Sequence, residues 1–305
     1  MAESSCFLCG EDASIVHFED SHRTHGAQGR FSVVQCQSCG ALYLSPRPDN
    51  TELAQYYPAD YAPYALPRST SPPARESVER GVAKLVQAII SRVPDPGRAL
   101  DVGCATGDFL LRLKDEGWQV WGAEINPEAA AYARDRLGGQ VSEGDFAKTE
   151  FEGHFSLVTF WDTLEHLPDP RGALAKAWQI TRPGAWLVFS VPNLDSIEAR
   201  VFGRYWAGWD IPRHLWWLST PFLHRLLDET GWAAQEFVCL RGRQWLLAES
   251  VRLWLEASPL PNALQRAMLA AVRSWPAKAL LWPYFAVVER LRRGSILAVF
   301  AKRKD

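Results

Sequence analysis

Between residues 98 and 191 short apolar runs alternate with amphipathic stretches, and this alternation limits the available folds more than any other feature of the chain. Residues 98–103 (RALDVG) read as a strand and 108–116 as a helix, and 119–125 with 127–137 repeat the pair. A short third strand precedes Asp145. Then 155–161 reads as a strand, 172–181 as a helix and 185–191 as a strand. Strands spaced by helices of this length feed a parallel sheet covered on both faces, an α/β fold. Before it, Val78, Val82, Leu85, Val86, Ile89 and Val93 recur at helical spacing over 76–93. Beyond it, 221–230 reads as helix, 234–240 as extended chain and 295–303 as a final strand.

The first strand turns into its helix through Asp101-Val102-Gly103-Cys104-Ala105-Thr106-Gly107. Glycine lets the backbone turn sharply and approach a ligand where a Cβ would clash. Open α/β sheets bind ligands at this edge, outside the strand carboxyl ends. Glu124 closes the second strand, where a carboxylate suits both ribose hydroxyls. Asp145 follows the third, placed for the exocyclic amine of adenine with Phe146 against the ring. A dinucleotide turn needs G-x-G-x-x-G, but Ala105 and Asp108 stand where its second and third glycines belong. Asp101 would repel a pyrophosphate and accept bonds from a cationic amino-acid tail. An adenosine carrying an ammonium group therefore fits the turn better.

The stretch from Asp101 to Gly107, Glu124, Gly144-Asp145 and Trp161-Asp162-Thr163-Leu164-Glu165-His166-Leu167 resemble the successive motifs of class I S-adenosylmethionine-dependent methyltransferases. Within that class the chain is similar to the small-molecule group typified by ubiquinone-type methyltransferases, over residues 84–240. Ala105 departs from the pattern, since Gly is frequent there. The resemblance implies a Rossmann-like, doubly wound, mostly parallel seven-stranded sheet and S-adenosyl-L-methionine as methyl donor. Asp101, Gly103 and Gly107 would line its methionine end, Glu124 the ribose, Asp145 the adenine, and Asp162 the sulfonium and amino acid. Cys104, Ala105, Ile125 and Phe146 complete the expected binding set.

Four of the six cysteines form two knuckles, Cys6-Phe7-Leu8-Cys9-Gly10 and Cys36-Gln37-Ser38-Cys39-Gly40. This spacing matches a ribbon with four thiolates around one tetrahedral Zn2+, closed and therefore structural. A pair of redox dithiols is the alternative. Cys104 and Cys239 read as small buried residues, and His17, His22 and His25, between the knuckles, as surface or substrate-facing groups. The expected organisation is a zinc ribbon at 1–48 and a Pro/Tyr-rich linker at 49–75, whose Tyr56, Tyr57, Tyr61 and Tyr64 should pack on the main domain. The core follows at 76–242, with a helical insertion at 243–294 and the last strand of the core at 295–305.

Two histidines are candidate bases for removing a proton from the acceptor: His214, near Asp210 and Arg213, and His166, after the fourth strand. Tyr205, Trp206, Trp209 and Arg213 are candidate substrate residues, with Trp216 and Trp217 close in sequence; aromatic walls there suit a sugar or an aromatic acceptor, or a core. The strand end Trp161-Asp162-Thr163-Leu164 lacks the Asn/Asp-Pro-Pro-Tyr/Phe signature of amino-group methylation, and no Pro-Cys nucleophile is present. DNA is thus excluded. A small-molecule, glycan or lipid-linked acceptor methylated on oxygen is the first reading. The alternatives are an RNA or protein methyltransferase docking through the ribbon, and a non-catalytic cofactor-binding scaffold. RNA is disfavoured, since Arg23 and Arg30 are the only basic ribbon residues before Arg47.

Charge is uneven along the chain. Residues 241–305 hold 12 Lys and Arg against 4 Asp and Glu, whereas the rest hold 21 against 31. The basic part would meet an anionic partner or the acidic part of the same chain. No charged segment followed by an apolar one opens the chain, and no run approaches the roughly 20 apolar residues of a membrane span. A cytoplasmic protein is expected. The segment 244–293, with Trp245, Trp254, Trp275, Trp282 and Phe285, is a lid, a dimer element, a helical cap or a peripheral contact with the inner membrane face.

Overall fold

The computed structural model describes residues 4–20, 30–49, 52–53, 55–57, 72–240 and 243–305. His22, Arg23, His25, Tyr61 and Tyr64 lie outside the described residues. In chain order the elements are β1 (Ser14–Asp20), β2 (Phe31–Cys36), β3 (Leu42–Ser45), α1 (Pro72–Ile90), β4 (Arg98–Val102), α2 (Asp108–Asp115), β5 (Gln119–Glu124), α3 (Pro127–Leu137) and β6 (Val141–Glu143). There follow β7 (Phe155–Phe160), α4 (Pro170–Gln179), β8 (Thr181–Pro192), α5 (Ile197–Phe202), β9 (Trp216–Trp217), α6 (Thr220–Glu229) and β10 (Trp232–Val238). The last are α7 (Arg243–Glu256), α8 (Asn262–Arg273), α9 (Trp275–Arg290) and β11 (Ile296–Arg303).

Seven strands form the larger sheet in the order β10-β11-β8-β7-β4-β5-β6. The pairs β4–β5, β5–β6, β4–β7 and β7–β8 are parallel. Strand order reverses at β4, which has β5 on one side and β7 on the other, and this is where open sheets leave a crevice for ligands. Every residue of β7 is buried, as expected for a central parallel strand covered on both faces. Arg98 closes the amino end of β4, its guanidinium 4.2 Å from the Trp121 ring centroid and 5.2 Å from that of Phe155.

Helix starts follow local chemistry. α3 begins with Asn126 accepting the Ala129 N–H and Pro127 in the first turn. α4 starts at Pro170, ahead of the expected residue 172, because Asp169 caps it by accepting the Gly172 N–H at 2.8 Å. α1 likewise starts at Pro72, ahead of residue 76: proline tolerates the first helical turn, where its missing donor is no loss.

The chain forms two compact units. The first comprises Met1–Tyr56, Val191–His224 and Phe237–Ala298, the second Tyr57–Ser190, Arg225–Glu236 and Val299–Asp305. In the first unit a four-stranded sheet runs β1-β2-β3-β9. Its last pairing is distant in sequence: Leu42 faces Trp217 and Tyr43 faces Trp216. The cysteine-bearing segment therefore shares a sheet and a core with residues beyond 200. Trp206, Trp209, Trp216 and Trp217 are all buried in that unit. Trp209 packs edge-on against Trp206 at 5.5 Å, Trp217 at 4.9 Å and Phe18 at 5.0 Å.

Candidate functional site

At the carboxyl edge of the large sheet the backbone enters the left-handed region repeatedly. Gly103, Ala105 and Gly107 have φ of 75°, 47° and 80°, Gly144 has 120° and Asp162 has 51°. For Ala105 and Asp162 such angles are strained, costing about 1–2 kcal/mol each, and strain of this kind collects at binding sites. Gly103 has no room for a side chain, since a Cβ there would lie 2.5 Å from Thr163 Oγ1. Arg136 clamps the far side of the turn, donating to Thr106 O at 2.7 Å and Asp108 Oδ1 at 2.6 Å.

The acids lie in strand order. Reading across β7, β4, β5 and β6, the strand ends carry Asp162, Asp101, Glu124 and Asp145, so the last three keep chain order and Asp162 joins from the other side of β4. Strands lie about 4.8 Å apart, so the four positions span roughly 14 Å. That is the reach of a nucleoside with an amino-acid tail.

Each acid is held by the protein. Asp101 is buried and accepts the Thr159 hydroxyl at 2.6 Å. Glu124 is buried, with Oε2 accepting Ala105 N–H and Oε1 accepting Asn126 N–H, both at 2.8 Å. Burial pushes the Glu124 carboxyl upward, against the pull of those amides. A carboxylate oxygen has more than one lone-pair direction, so Glu124 keeps acceptor capacity for a ligand. Asp145 accepts the Ala147 N–H at 2.9 Å. Ser190 fixes Asp162 twice, accepting its N–H at 2.8 Å and donating to Oδ1 at 2.5 Å.

Among the remaining expected cofactor residues, Ile125 is exposed beside Glu124. Phe146 is buried, packed against Phe160 at 5.6 Å and Phe151 at 5.9 Å, with Lys176 Nζ 5.2 Å from its ring centroid. Cys104 fills the space over Gly122, so its main chain, and not its thiol, lines the turn. Burial and the nearby Asp101 and Glu124 charges push that thiol well up, and it stays neutral. Thr159, Ser190 and Asn126 were not singled out from the sequence. Thr159 and Ser190 are hydroxyls near the carboxyl ends of mostly apolar strands, which is the signal that marks them.

The candidate bases differ in setting. His214 is buried in the first unit, with Nδ1 3.0 Å from Gly208 O and Nε2 3.7 Å from Asp210 Oδ2. Its neighbour Arg213, also buried, donates to Asp210 Oδ1 at 2.7 Å. Both side chains thus brace the Asp210 turn, and Trp206 and Trp209 lie in the core of that unit with Tyr205 half-buried beside them. His166 is half-buried and closes a single 3-10 turn, Leu164–His166, just after Asp162. Its Nδ1 lies 2.9 Å from the Tyr57 hydroxyl, and the rings meet edge-on at 6.0 Å.

In the first unit the four knuckle sulfurs of Cys6, Cys9, Cys36 and Cys39 lie within 4.8 Å of one another. Cys6 and Cys39 Sγ are 3.6 Å apart and Cys9 and Cys36 Sγ 3.5 Å. Four ligands at about 2.3 Å around a tetrahedral zinc stand roughly 3.8 Å apart, so the sulfurs fit that ion. The knuckles fold alike: Gly10 N–H donates to Cys6 O and Gly40 N–H to Cys36 O, both glycines at φ 79°. Burial works against the Cys36 thiolate, but the backbone amides of Cys39 and Ser38 and the Cys9 sulfur outweigh it and bring the thiol down to about 7.

Residues 74–236, more than half of the chain, match a protein family described as a methyltransferase domain. Among curated relatives, a ubiquinone biosynthesis O-methyltransferase from Nitrosospira multiformis is 30% identical over 152 residues, 46% of this chain and 64% of the relative. Another of the same name, from Thiobacillus denitrificans, is 34% identical over 115 residues, 35% of this chain and 49% of the relative. The chain spans about half the length of such relatives. A magnesium protoporphyrin IX methyltransferase from Synechocystis PCC 6803, solved with bound SAH, shares the fold at 13% identity and a TM-score of 0.52, covering 84% of this chain and 100% of that one.

Proposed function

Because this chain belongs to the methyltransferase domain family, we propose that it transfers a methyl group from S-adenosylmethionine to an oxygen of a small molecule. A glycan or lipid-linked acceptor, reached at the inner membrane face, is the narrower form of that reading. The observation that carries it is the row of Asp162, Asp101, Glu124 and Asp145 on four adjacent strand ends, beside a turn held in left-handed backbone.

When bound, S-adenosylmethionine supplies a methyl group made electrophilic by its sulfonium. Asp101, the 103–107 turn and Asp162 would hold its amino-acid end, Glu124 the ribose hydroxyls and Asp145 the adenine amine, with Ile125 covering the base. The protein's task is then alignment, worth roughly 7–11 kcal/mol, and removal of the acceptor's proton, worth about 10²–10⁴-fold. We assign the proton to His166. His214 Nδ1 meets Gly208 O in its own turn, whereas His166 closes the 3-10 turn that follows Asp162, the acid we place at the reacting end. As a base, His166 would accept the proton at Nε2, with its Nδ1–H held on the Tyr57 oxygen.

The four cysteines would hold a structural zinc, which supplies cohesion and no chemistry. The described part of the ribbon offers Arg30 and Arg47 as its cations, too few for docking on RNA.

Calorimetry with S-adenosylmethionine followed by transfer of a labelled methyl group to phenolic, glycan and polyprenyl-linked acceptors tests the reading. Binding with turnover of one acceptor class supports it. Binding without turnover of any class leaves a cofactor-binding scaffold, and absence of binding removes the reading altogether.

A further inference from the structure

The helices at the end of the first unit carry an apolar surface that faces water. α8 contains no fully buried residue along its whole length. α9 buries Phe285 and Val288 on one side, while Trp275 is 79% exposed, Leu280 81% and Trp282 61%, and Val287 is exposed as well. At 100° per residue the exposed apolar side chains cover an arc of about 160°, from Trp282 and Trp275 on one flank through Ala279 and Pro283 to Val287 and Leu280 on the other, and Phe285 and Val288 lie outside that arc. Single exposed apolar residues are ordinary; two tryptophans, a valine and a leucine along the exposed half of one helix are not, and such patches mark interaction sites.

Charge selects the occupant. Residues 262–293 contain Arg266, Arg273, Lys278, Arg290, Arg292 and Arg293, with Glu289 as the one acid. A second copy presenting the same face would set like charges against each other. A peptide partner would have to supply both acid and grease. An anionic bilayer supplies both at once: phosphates for the cations, and an interfacial zone in which tryptophan is most at home. No described helix is long and apolar enough to cross a membrane, so the contact lies in the plane of the surface. Basic residues flanking an exposed aromatic stripe have the composition of such surface helices.

We propose that the outer face of α8 and α9 docks on the surface of an anionic lipid bilayer, with Trp275, Leu280 and Trp282 entering the headgroup region and Lys278 and Arg290 engaging lipid phosphate. This deepens the membrane-facing form of the reading above by naming the docking surface, but the docking does not depend on methyl transfer.

The test is co-sedimentation of the full, zinc-loaded chain with vesicles of phosphatidylcholine alone and of phosphatidylcholine mixed equally with phosphatidylglycerol. Three proteins are compared: the unaltered chain, Trp275→Ser with Leu280→Ser and Trp282→Ser, and Lys278→Glu with Arg290→Glu. The unaltered chain should bind the anionic vesicles on the order of tenfold more tightly than the neutral ones, and less as salt rises. Each variant should lose on the order of tenfold of that binding. Failure of the unaltered chain to prefer anionic vesicles, or binding that neither variant weakens, overturns the proposal. So does a concentration-dependent dimer that the triple variant abolishes while no vesicles are bound, which assigns the face to a second copy. The altered side chains are exposed, so S-adenosylhomocysteine affinity should match across the three proteins. Loss of that affinity in the unaltered chain would instead sink the methyltransferase reading and leave the docking result standing.

Discussion

In the cysteine ribbon the groups offered to a ligand are four side chains, and the backbone aims them and, at Cys36, favours the thiolate. Two knuckles with the same φ at Gly10 and Gly40 bring four sulfurs together. At the sheet edge the reverse holds. The turn is made of left-handed backbone, and its carboxylates already serve the protein's own amides and hydroxyls. A site of the first kind contributes stability only when filled, because the metal bonds are what tie the two knuckles together. A site of the second kind stands ready, so its ligand adds affinity and little fold.

The sharpest way to break this contrast is at the ribbon. Cys36→Ser should abolish stoichiometric zinc, measured by metal analysis, and lower Tm by on the order of 20 °C, since structural zinc contributes on the order of 10–16 kcal/mol in isolated fingers. S-adenosylhomocysteine affinity should meanwhile change by less than about threefold, because the acids and the turn belong to the other unit. A parallel collapse of both would show that the sheet edge is not preformed.

A smaller effect is expected from Glu124→Gln, which keeps shape and removes charge. Hydrogen bonds to a charged acceptor are worth about 1.5–3 kcal/mol, so calorimetry should show S-adenosylhomocysteine binding weakened by about 10²-fold. Next comes pH. The folded-state Glu124 carboxyl is raised by burial. Its contribution to stability is therefore full below its unfolded value and lost as pH rises through the raised value. Ligand affinity runs the other way and falls as pH drops through that raised value, because a protonated carboxyl accepts less. Denaturation and calorimetry over the same pH series should give slopes of opposite sign. Smallest of all, Ala105→Gly should relieve the left-handed alanine and raise stability by about 0.5 kcal/mol in chemical denaturation, the strain of roughly 1–2 kcal/mol being offset by glycine's larger unfolded-state entropy.

Much of this is legible in the amino-acid sequence. The α/β alternation survives in sequence because central parallel strands are buried on both sides, and β7 (FSLVTF) is apolar almost throughout. The acids at strand ends could be read because strand order and motif order are linked in a doubly wound sheet. What escaped was tertiary. β9 has two residues, too few for any period, and its pairing with β3 could not be read from either segment. Ser190 and Tyr57 act through partners 28 and 109 residues away in sequence, which no local pattern encodes. The tryptophans near 206–217 suit a ligand wall or a core equally well in sequence, and the structure buries four of them; composition alone does not separate those roles.

The antiparallel match of Leu42 and Tyr43 with Trp217 and Trp216 also sets a schedule for synthesis. A nascent chain can gather its knuckles around a metal as soon as Cys39 emerges, but the outer edge of β3 stays bare until the far end of that ladder arrives, roughly 170 residues later. A fragment cut after residue 48 would carry all four thiols and an open strand flank, the kind of edge that recruits neighbours. Excision should therefore yield a sticky three-stranded fragment instead of a portable module.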